Sequence, residues 1–237
     1  MDYLKFKEII ENDLKYINLE ITDESKENLY KYMNNLIEWN QKINLTAIKN
    51  EEEIILKHFV DSIYIKNMVK GRVLDIGSGA GFPGIPLRLV NNNINLVSID
   101  SVNKKINFQK DTAEKLSLNN IEIIHTRAEN LAQNKHYREQ FDFVVSRAVA
   151  NLSTLSEYML PFTKIGGKCI CMKGPNCLEE IDNAKNAIKL LGGRIEKIEE
   201  YKIADGIDRV LVVISKEKST NKIYPRGQGK PSKDPLK

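Results

Sequence analysis

Cysteines and long apolar runs are both scarce in this sequence, and each shortage excludes a class of protein. Three cysteines in 237 residues are too few for a disulfide framework. No stretch approaches the roughly 18 apolar residues of a membrane helix, and the first residues lack the apolar segment of a secretory signal. We therefore expect a soluble protein of the reducing cytoplasm with no membrane partner.

Metal-ligating patterns are scarce as well. Cys169 and Cys171 alternate within an apolar run, as core side chains do, and Cys177 has no base beside it in the sequence. No cluster of histidines accompanies the three cysteines, so their spacing is a poor match to a zinc site. We predict no metal site and assign no chemical role to a cysteine.

The net charge of +4 is concentrated at the carboxyl end of the chain. Residues 215–237 hold seven basic and two acidic residues, a net charge of +5, which leaves −1 for the rest. A basic arm indicates a polyanionic partner such as RNA. The alternative is a solubilising disordered tail, and charge alone favours that alternative.

The chain divides into three regions with different patterns. Residues 1–69 predict a helical subdomain, with Thr22 capping a helix whose first turn holds Asp23 and Glu24. Residues 70–216 alternate short apolar runs with helical patterns, and residues 217–237 form a basic tail rich in Pro, Gly and Lys. Strands that alternate with helices predict an α/β domain with a mainly parallel sheet.

Seven runs are predicted strands, and the last two differ from the others in how they are joined. Only residues 204–208 connect the last pair, which is too short for a parallel crossover, so that pair should be antiparallel. The predicted strands are residues 72–77, 95–100, 121–125, 141–146, 168–173, 194–203 and 209–215.

A glycine-rich loop follows the first predicted strand. Gly77, Gly79 and Gly81 allow a tight turn and a close approach of the backbone to a ligand. Asp100 ends the next strand, where an acid typically accepts hydrogen bonds from ribose hydroxyls. The loop and the acid together predict a site for an adenosine-type cofactor.

Asp75, directly before this loop, bears on which cofactor binds. Dinucleotide sites place a pyrophosphate on the helix N-terminus, and an acid beside the loop is poorly placed against phosphate. The same acid is well placed against the amino group of S-adenosylmethionine. The pattern therefore favours a methyl donor over a nicotinamide nucleotide, although Asp75 alternatively caps the turn through backbone amides, or does both.

Several motifs together resemble one family of enzymes, from about residue 30 to the C-terminus. The run Asp75–Pro86 contains the glycines followed by two prolines. The other matching residues are Trp39-Asn40, Asn44–Ile48, His58 with Asp61-Ser62, Asp100-Ser101, Lys104-Lys105, Arg127–Glu129, Ser146–Ala148, Met172–Gly174 and Tyr224–Arg226. The chain thus resembles the family of ribosomal small-subunit RNA methyltransferase G, also called glucose-inhibited division protein B.

This resemblance implies a class I methyltransferase fold, Rossmann-like, with seven strands. It implies methyl transfer from S-adenosylmethionine to N7 of one guanine in small-subunit ribosomal RNA. The family's cofactor contacts map onto Gly77, Phe82, Ala128, Glu129 and Arg147, and the general class I pattern adds Asp75 and Asp100. The glycine loop adds Gly79 and Gly81 to the predicted cofactor site. Phe82 would lie beside the donor, Ala128-Glu129 would pass the adenine edge, and Arg147 would lie near the point of transfer.

The implied reaction requires residues that position the substrate and requires no general base. Guanine N7 carries no proton, so its methylation needs no general base, and no acid–base residue is predicted. Arg147 and Lys173, at the ends of the fourth and fifth strands, are predicted to position the substrate or cofactor, together with Arg226 of the tail. A salt bridge is the alternative role for Lys173 and Arg147, and disorder is the alternative for Arg226.

Three other functions remain open at this point. They are a class I methyltransferase for a small molecule or protein, a nucleotide- or RNA-binding module without catalysis, and a nicotinamide dehydrogenase. His58 is predicted to join the helical subdomain to the sheet, not to act chemically. Nothing in the sequence demands more than a monomer.

Overall fold

The computed structural model describes residues 1–147 and 149–237, and at residue 205 the backbone alone. Ala148, the last residue of the Ser146–Ala148 motif, lies outside the described residues.

The described chain folds into a seven-stranded sheet with helices on both faces. The strand order is β3-β2-β1-β4-β5-β7-β6. The strands are β1 Gly71–Ile76, β2 Ile94–Asp100, β3 Ile121–His125, β4 Phe141–Arg147, β5 Thr163–Lys173, β6 Gly193–Ile203 and β7 Ile207–Lys216.

All seven predicted strands are present, within a few residues at their ends. β1 to β5 pair in parallel, whereas β7 runs antiparallel to both β5 and β6. The prediction of an antiparallel last pair is confirmed, because only a short 3₁₀ turn, Ala204–Gly206, joins the two strands. Since neighbouring parallel strands share a direction, the carboxyl ends of β1, β2 and β4 lie along one edge of the sheet.

The helices lie before β1, between strands and, for α10, after β7. They are α1 Tyr3–Tyr16, α2 Asp23–Lys42, α3 Glu51–Ile54, α4 Asp61–Ile63, α5 Gly84–Val90, α6 Asn103–Lys115, α7 Ala128–Leu131, α8 Leu152–Met159, α9 Leu178–Leu190 and α10 Lys230–Lys233. The short helices α7 and α10 were not predicted, since four residues are too few to show a helical period.

The N-terminal helices follow the predicted signals with one irregularity. Thr22 caps α2, its Oγ1 accepting a hydrogen bond from the Ser25 amide at 3.1 Å. The segment from α3 to α4 is helical throughout, but Ile55–Val60 between them forms a π-helical turn. The helical segment agrees with the predicted helical subdomain, but the sequence gives no signal for the wider π-helical turn. Such turns occur frequently at functional sites.

Two apolar layers cover the two faces of the sheet. One contains α1, α2, the segment 51–63 and α5, packed around Tyr32, Phe59 and Phe108, each fully buried. The other contains α7, α8 and α9 against β4, β5 and β7. Cys169 and Cys171 belong to this second layer and are fully buried, so their predicted role in core packing is confirmed.

The basic tail is folded, and the expectation of a disordered tail from charge alone is wrong. Tyr224 and Pro231 are buried, and the Thr154 hydroxyl donates to the Pro231 carbonyl at 2.9 Å. Arg226 binds Glu157, a fully buried carboxylate of α8, through Nη2 at 2.7 Å. The net charge of the tail gave no indication of this specific acidic partner, which lies 69 residues away in the sequence.

Within the part of the chain that the structure describes, no helix is long and apolar enough to cross a membrane. The same residues contain no cluster of three or more His, Cys, Asp or Glu side chains that could hold a metal ion.

Candidate active site

The glycine loop connects the end of β1 to the start of α5. Gly77, Gly79 and Gly81 all have positive φ angles, of +66°, +60° and +97°. At Gly81 a Cβ atom would lie 2.5 Å from Cδ1 of Ile85 and 2.8 Å from the hydroxyl of Tyr32. Glycine is therefore required at this position both by the backbone conformation and by the space available.

Asp75 is fully buried beneath this loop and has one carboxylate oxygen free. Its Oδ2 accepts the amide of Gly84 at 2.8 Å, so Asp75 does cap the start of α5. Its Oδ1 is buried and has no hydrogen-bond partner among the described residues. Burial raises the pKa of Asp75 to about 7, although the Gly84 amide and the Arg147 guanidinium oppose that rise. A buried acceptor without a partner is costly unless a ligand supplies the donor.

Asp100 lies at the end of β2 and is held rigidly by the loops on either side. Its Oδ2 accepts the Gly79 amide at 2.9 Å, and its Oδ1 accepts the Val102 amide at 2.8 Å. A carboxylate offers about four acceptor positions, so two backbone bonds leave others for a ligand. Asp100 thus fixes the glycine loop and still presents acceptors to the adjoining space.

An open cleft of about 330 Å³ lies along this edge of the sheet. Four of the predicted cofactor residues line it: Gly77, Asp100, Ala128 and Glu129. Its lining also includes Lys105, Val149 and Tyr158, which had not been predicted to bind the cofactor. The topology therefore brings together residues from the ends of β1, β2 and β3, as the strand-end argument predicts.

Phe82 and Arg147 lie on the other side of the glycine loop, against the helical segment. The Phe82 ring stacks on the His58 imidazole with centroids 4.5 Å apart and is only 6% exposed. The Arg147 guanidinium lies 5.2 Å from the centroid of the same ring. We call these three residues, with Asp61, the junction, because they connect the segment 51–63 to β4.

Hydrogen bonds fix the junction from several directions. Arg147 Nη1 donates to the Lys57 carbonyl at 2.8 Å, and Nη2 lies 3.0 Å from His58 Nδ1. Asp61, which is 3% exposed, binds Arg147 at 3.3 Å and Arg209 at 3.2 Å. The prediction that His58 joins the helical region to the sheet is confirmed.

The protonation state of His58 follows from these contacts. Burial and the adjacent Arg147 charge lower the pKa of His58 to about 3, so the ring is neutral near pH 7. A guanidinium can only donate, so Nδ1 is the acceptor from Arg147 and Nε2 carries the proton. Nε2 then donates to the Thr46 hydroxyl, 2.8 Å away.

Lys173 and Arg226 lie in ion pairs with acidic side chains. The Lys173 ammonium is 2.5 Å from both the Ala150 carbonyl and a Glu180 carboxylate oxygen, and its side chain is 9% exposed. Arg226 uses its backbone amide, Nε and Nη2 on Glu157. These contacts favour the salt-bridge alternative for Lys173, and they place Arg226 as an anchor of the tail.

The tail reaches the cofactor cleft through one backbone contact. The amide of Gly229 donates to Oε1 of Glu129 at 2.9 Å. Glu129 is 7% exposed and lines the cleft, so the tail touches a predicted cofactor residue.

Sequence reasoning did not identify two residues that support the loop. Gln109 on α6 is fully buried, and its Nε2 donates to the Gly79 carbonyl and the Ser78 hydroxyl, each at 2.8 Å. Tyr32 on α2 donates its hydroxyl to the Ala80 carbonyl. The sequence signal for Gln109 was its position as a glutamine on the apolar face of a helix. Tyr32 gave no such signal, because its position is that of an ordinary core residue.

The fold is that of the class I methyltransferases. The same fold occurs in a precorrin-6y C5,15-methyltransferase of Geobacter metallireducens, with a TM-score of 0.51, 14% identity, and coverage of 74% of this chain and 92% of that one. It also occurs in a ribosomal protein L11 methylase of Lactobacillus delbrueckii subsp. bulgaricus, with a TM-score of 0.51, 18% identity, and coverage of 68% and 79%.

Sequence comparison then narrows the class to a family. The model of the family rRNA small subunit methyltransferase G matches residues 25–211. A ribosomal RNA small subunit methyltransferase G of Alkaliphilus oremlandii is 44% identical, covering 99% of this chain and all of that protein. The one from Clostridium tetani is 48% identical over 91% of this chain and 92% of its own length. The chain belongs to the rRNA small subunit methyltransferase G family.

Proposed function

We propose that the protein transfers the methyl group of S-adenosylmethionine to N7 of a guanine in the ribosomal RNA of the small subunit. The observation that carries the cofactor assignment is the unpartnered Oδ1 of Asp75, which is buried beneath the glycine loop. The same loop borders a cleft in which Asp100 can accept hydrogen bonds from ribose hydroxyls. The RNA substrate is supported by membership of the family and by the names of full-length relatives.

The residues along the cleft fit the cofactor chemically. A primary ammonium group is the natural partner for a buried carboxylate oxygen that lacks a donor, and Asp75 would hold it. The acceptors that Asp100 retains suit ribose hydroxyls, while Gly77 lets the backbone approach the ligand closely. Ala128 and Glu129 would border the base. When bound, S-adenosylmethionine supplies a methyl group activated by the adjoining positive sulfur.

The junction is suited to hold an acceptor in place without proton transfer. Guanine N7 presents a lone pair in the ring plane, so the protein has to place that atom and exclude water. His58 is neutral and hydrogen-bonded at both nitrogens, and it therefore orients Arg147 instead of acting as a base. Arg147 would bind O6 of the guanine or a phosphate, because a cation directly against N7 would oppose the charge that the ring gains.

The basic tail and the exposed lysines of the helical N-terminal region would contribute to RNA binding through phosphates. We propose that the enzyme acts as a monomer in the cytoplasm. N7 faces the deep, narrow major groove of A-form RNA, so the target guanine should lie in a loop, a bulge or an irregular helix end.

Incubation with labelled S-adenosylmethionine and small ribosomal subunits lacking this modification tests the proposal. Digestion and mass spectrometry of the RNA should show labelled 7-methylguanosine at one position. Binding of S-adenosylmethionine without labelling of any RNA would redirect the search to a small-molecule or protein substrate. Absence of S-adenosylmethionine binding would overturn the assignment of Asp75 and Asp100.

A further inference from the structure

The loop between α2 and α3 encloses a pocket that the proposed transfer step does not use. It has a volume of about 320 Å³, and its polar lining includes Asn40, Gln41, Asn44, Thr46 and Lys49. Its remaining walls are apolar side chains of α2, the loop and α3. We infer that this loop pocket binds a nucleotide of the RNA substrate next to the methylated guanine. The inference rests on the proposed function.

The loop pocket is a preformed structure. The side chain of Asn40 makes three hydrogen bonds to the loop: Oδ1 accepts the amides of Leu45 at 2.8 Å and Thr46 at 3.1 Å, and Nδ2 donates to the Thr46 carbonyl at 3.1 Å. The Thr46 hydroxyl also accepts the Ile48 amide at 3.1 Å. A loop held in this way loses little conformational freedom when a ligand binds.

A single side chain separates the loop pocket from the junction. The Thr46 hydroxyl lies 2.8 Å from His58 Nε2, and the opposite nitrogen of that ring contacts Arg147. The His58 ring also stacks on Phe82 of the glycine loop. A chain of nucleotides that places one base at the junction therefore passes the mouth of the loop pocket.

The free polar groups of the pocket match a nucleotide. Gln41 and Asn44 are exposed, and neither side chain has a hydrogen-bond partner within residues 1–147 and 149–237. Each amide offers donors and an acceptor, the combination that reads the edge of a base. The apolar walls, formed by leucine and isoleucine side chains, can cover the face of an unstacked base.

Lys49 adds a charge for a phosphate. Its neighbours Lys42 and Lys57 are neutralised by Glu38 at 2.9 Å and Glu53 at 2.5 Å. Lys49 is exposed and has no carboxylate partner in the described part of the chain. An uncompensated ammonium beside free amides is the arrangement expected for contacts to one phosphate and one base.

RNA around an accessible N7 should leave such a nucleotide available. A guanine in a regular A-form helix hides N7 in the deep groove, so the target and its neighbours have to be unpaired or irregular. Unpaired neighbours present their base edges and faces to the protein. The loop pocket would therefore add selectivity for the sequence beside the target.

Two double variants, one in the pocket and one as its control, test the inference. In Asn44→Ala/Lys49→Gln, one amide and one ammonium are removed from the pocket. The matched control, Asn186→Ala/Lys189→Gln, removes the same groups from the exposed face of α9. The measurements are the KM for small ribosomal subunits, the kcat, the Kd for S-adenosylmethionine, and the Kd for naked 16S rRNA by filter binding.

We expect the pocket variant to raise the KM and the RNA Kd about tenfold, with kcat and cofactor affinity within twofold of wild type. Lys49→Gln alone should lower the slope of log Kd against log salt by about 0.7, whereas Asn44→Ala alone should leave the slope unchanged. The control variant should match wild type in every measurement.

An unchanged KM and RNA Kd in the pocket variant, or an equal rise in the control, overturns the inference. A raised KM for subunits with an unchanged Kd for naked rRNA overturns it as well, because the pocket would then contact a ribosomal protein. Filter binding needs no turnover, so a tenfold weaker Kd supports the loop pocket even if the wild-type enzyme labels no RNA. In that event the proposed reaction fails, and with it the position beside a methylated guanine, while the binding of RNA by the loop pocket stands.

Discussion

The two sides of the glycine loop are built on different physical principles. On the cleft side, Gly77, Asp100 and Glu129 line an open space of about 330 Å³, and Asp75, buried beneath the glycine loop, keeps one oxygen unpaired. On the junction side, Phe82, His58, Arg147 and Asp61 fill the space with stacked rings and ion pairs. The cleft is thus open to a cofactor, whereas the junction holds the helical region against the sheet and fixes Arg147 in place for the proposed acceptor.

This difference predicts that variants of the two sides fail differently. Variants of the cleft should lose cofactor affinity while the fold remains stable. Variants of the junction should lose stability while cofactor affinity remains. Three substitutions test that separation, and a fourth, at the rim of the cleft, distinguishes two classes of cofactor.

The largest effect is expected for Gly77→Asp in the cleft. A Cβ at this position would lie 2.6 Å from Cγ2 of Val149, and the backbone φ of +66° disfavours a side chain. The new carboxylate would also add negative charge and crowd the cofactor. We expect affinity for S-adenosylmethionine to fall about a hundredfold or more, which corresponds to about 2.7 kcal/mol. Calorimetric titration measures this loss, and the variant should show no methyl transfer.

Gly166→Asp is the matched control, because Gly166 has a φ of +81° and open space around its Cβ position. This variant should carry the same backbone strain without a change in cofactor affinity. If Gly77→Asp binds the cofactor normally, the placement of the cofactor along the glycine loop is wrong.

The second effect is expected for Asp61→Ala in the junction. This change leaves Arg147 and Arg209 without their shared carboxylate in a buried setting, and removal of one partner of a buried pair costs about 3 kcal/mol. Urea denaturation should show that loss in the free energy of unfolding. Asp182→Ala, which breaks an exposed pair with Lys185, should cost less than about 0.5 kcal/mol.

Cofactor affinity distinguishes the two sides in the same experiment. The folded Asp61→Ala variant should bind S-adenosylmethionine within threefold of wild type, because Asp61 does not line the cleft. A large loss of cofactor affinity in a variant that is still folded would show that the junction and the cleft form one site.

The sequence predicted the cleft far better than the junction, for a topological reason. Strand ends in a parallel sheet share one edge, so Gly77, Asp100 and Ala128 had to come together once the strands were identified. The junction depends on pairs that are distant in sequence: His58 and Arg147 are 89 residues apart, and Asp61 and Arg209 are 148 apart. Sequence periodicity shows that Ile54 and Phe59 are buried, but it does not show which charged residue Asp61 meets.

The tail illustrates the same limit. Its composition predicts a solvated segment, and only the fold reveals that Glu157, on the buried face of α8, needs a cation. Family resemblance had singled out Arg226 without showing its partner. A single sequence therefore locates residues that follow from topology and misses those whose importance comes from one distant contact.

The third largest effect is a pH dependence that comes from Asp75, beneath the glycine loop. Burial raises the pKa of Asp75 to about 7, above its ordinary value. The folded protein without ligand therefore binds the Asp75 proton more tightly than the unfolded chain does. The stability of the free protein should therefore fall as the pH rises from about 4 through 7. A cationic ligand needs the carboxylate, so affinity for S-adenosylmethionine should rise as the pH passes from 6 to 8.

Asp75→Asn should abolish this rise. The variant should bind about tenfold more weakly than wild type at pH 8, and the difference should shrink at pH 6, where wild-type Asp75 is largely protonated. Calorimetric titrations at pH 6, 7 and 8 measure both quantities. Equal pH profiles for the two proteins would show that another group controls the affinity.

The smallest effect is expected for Lys105→Gln, and it separates two classes of cofactor. Lys105 lines the cleft beside Gly79 and has no acidic partner in the portion of the chain that is described. A cofactor without phosphate gains little from an ammonium group at the rim, so affinity for S-adenosylmethionine should change less than about twofold. A pyrophosphate cofactor would lose a charge-assisted contact and bind appreciably more weakly. Parallel titrations of wild type and variant with S-adenosylmethionine and with NAD therefore test whether Asp75, and not a phosphate-binding cation, determines which ligand this cleft accepts.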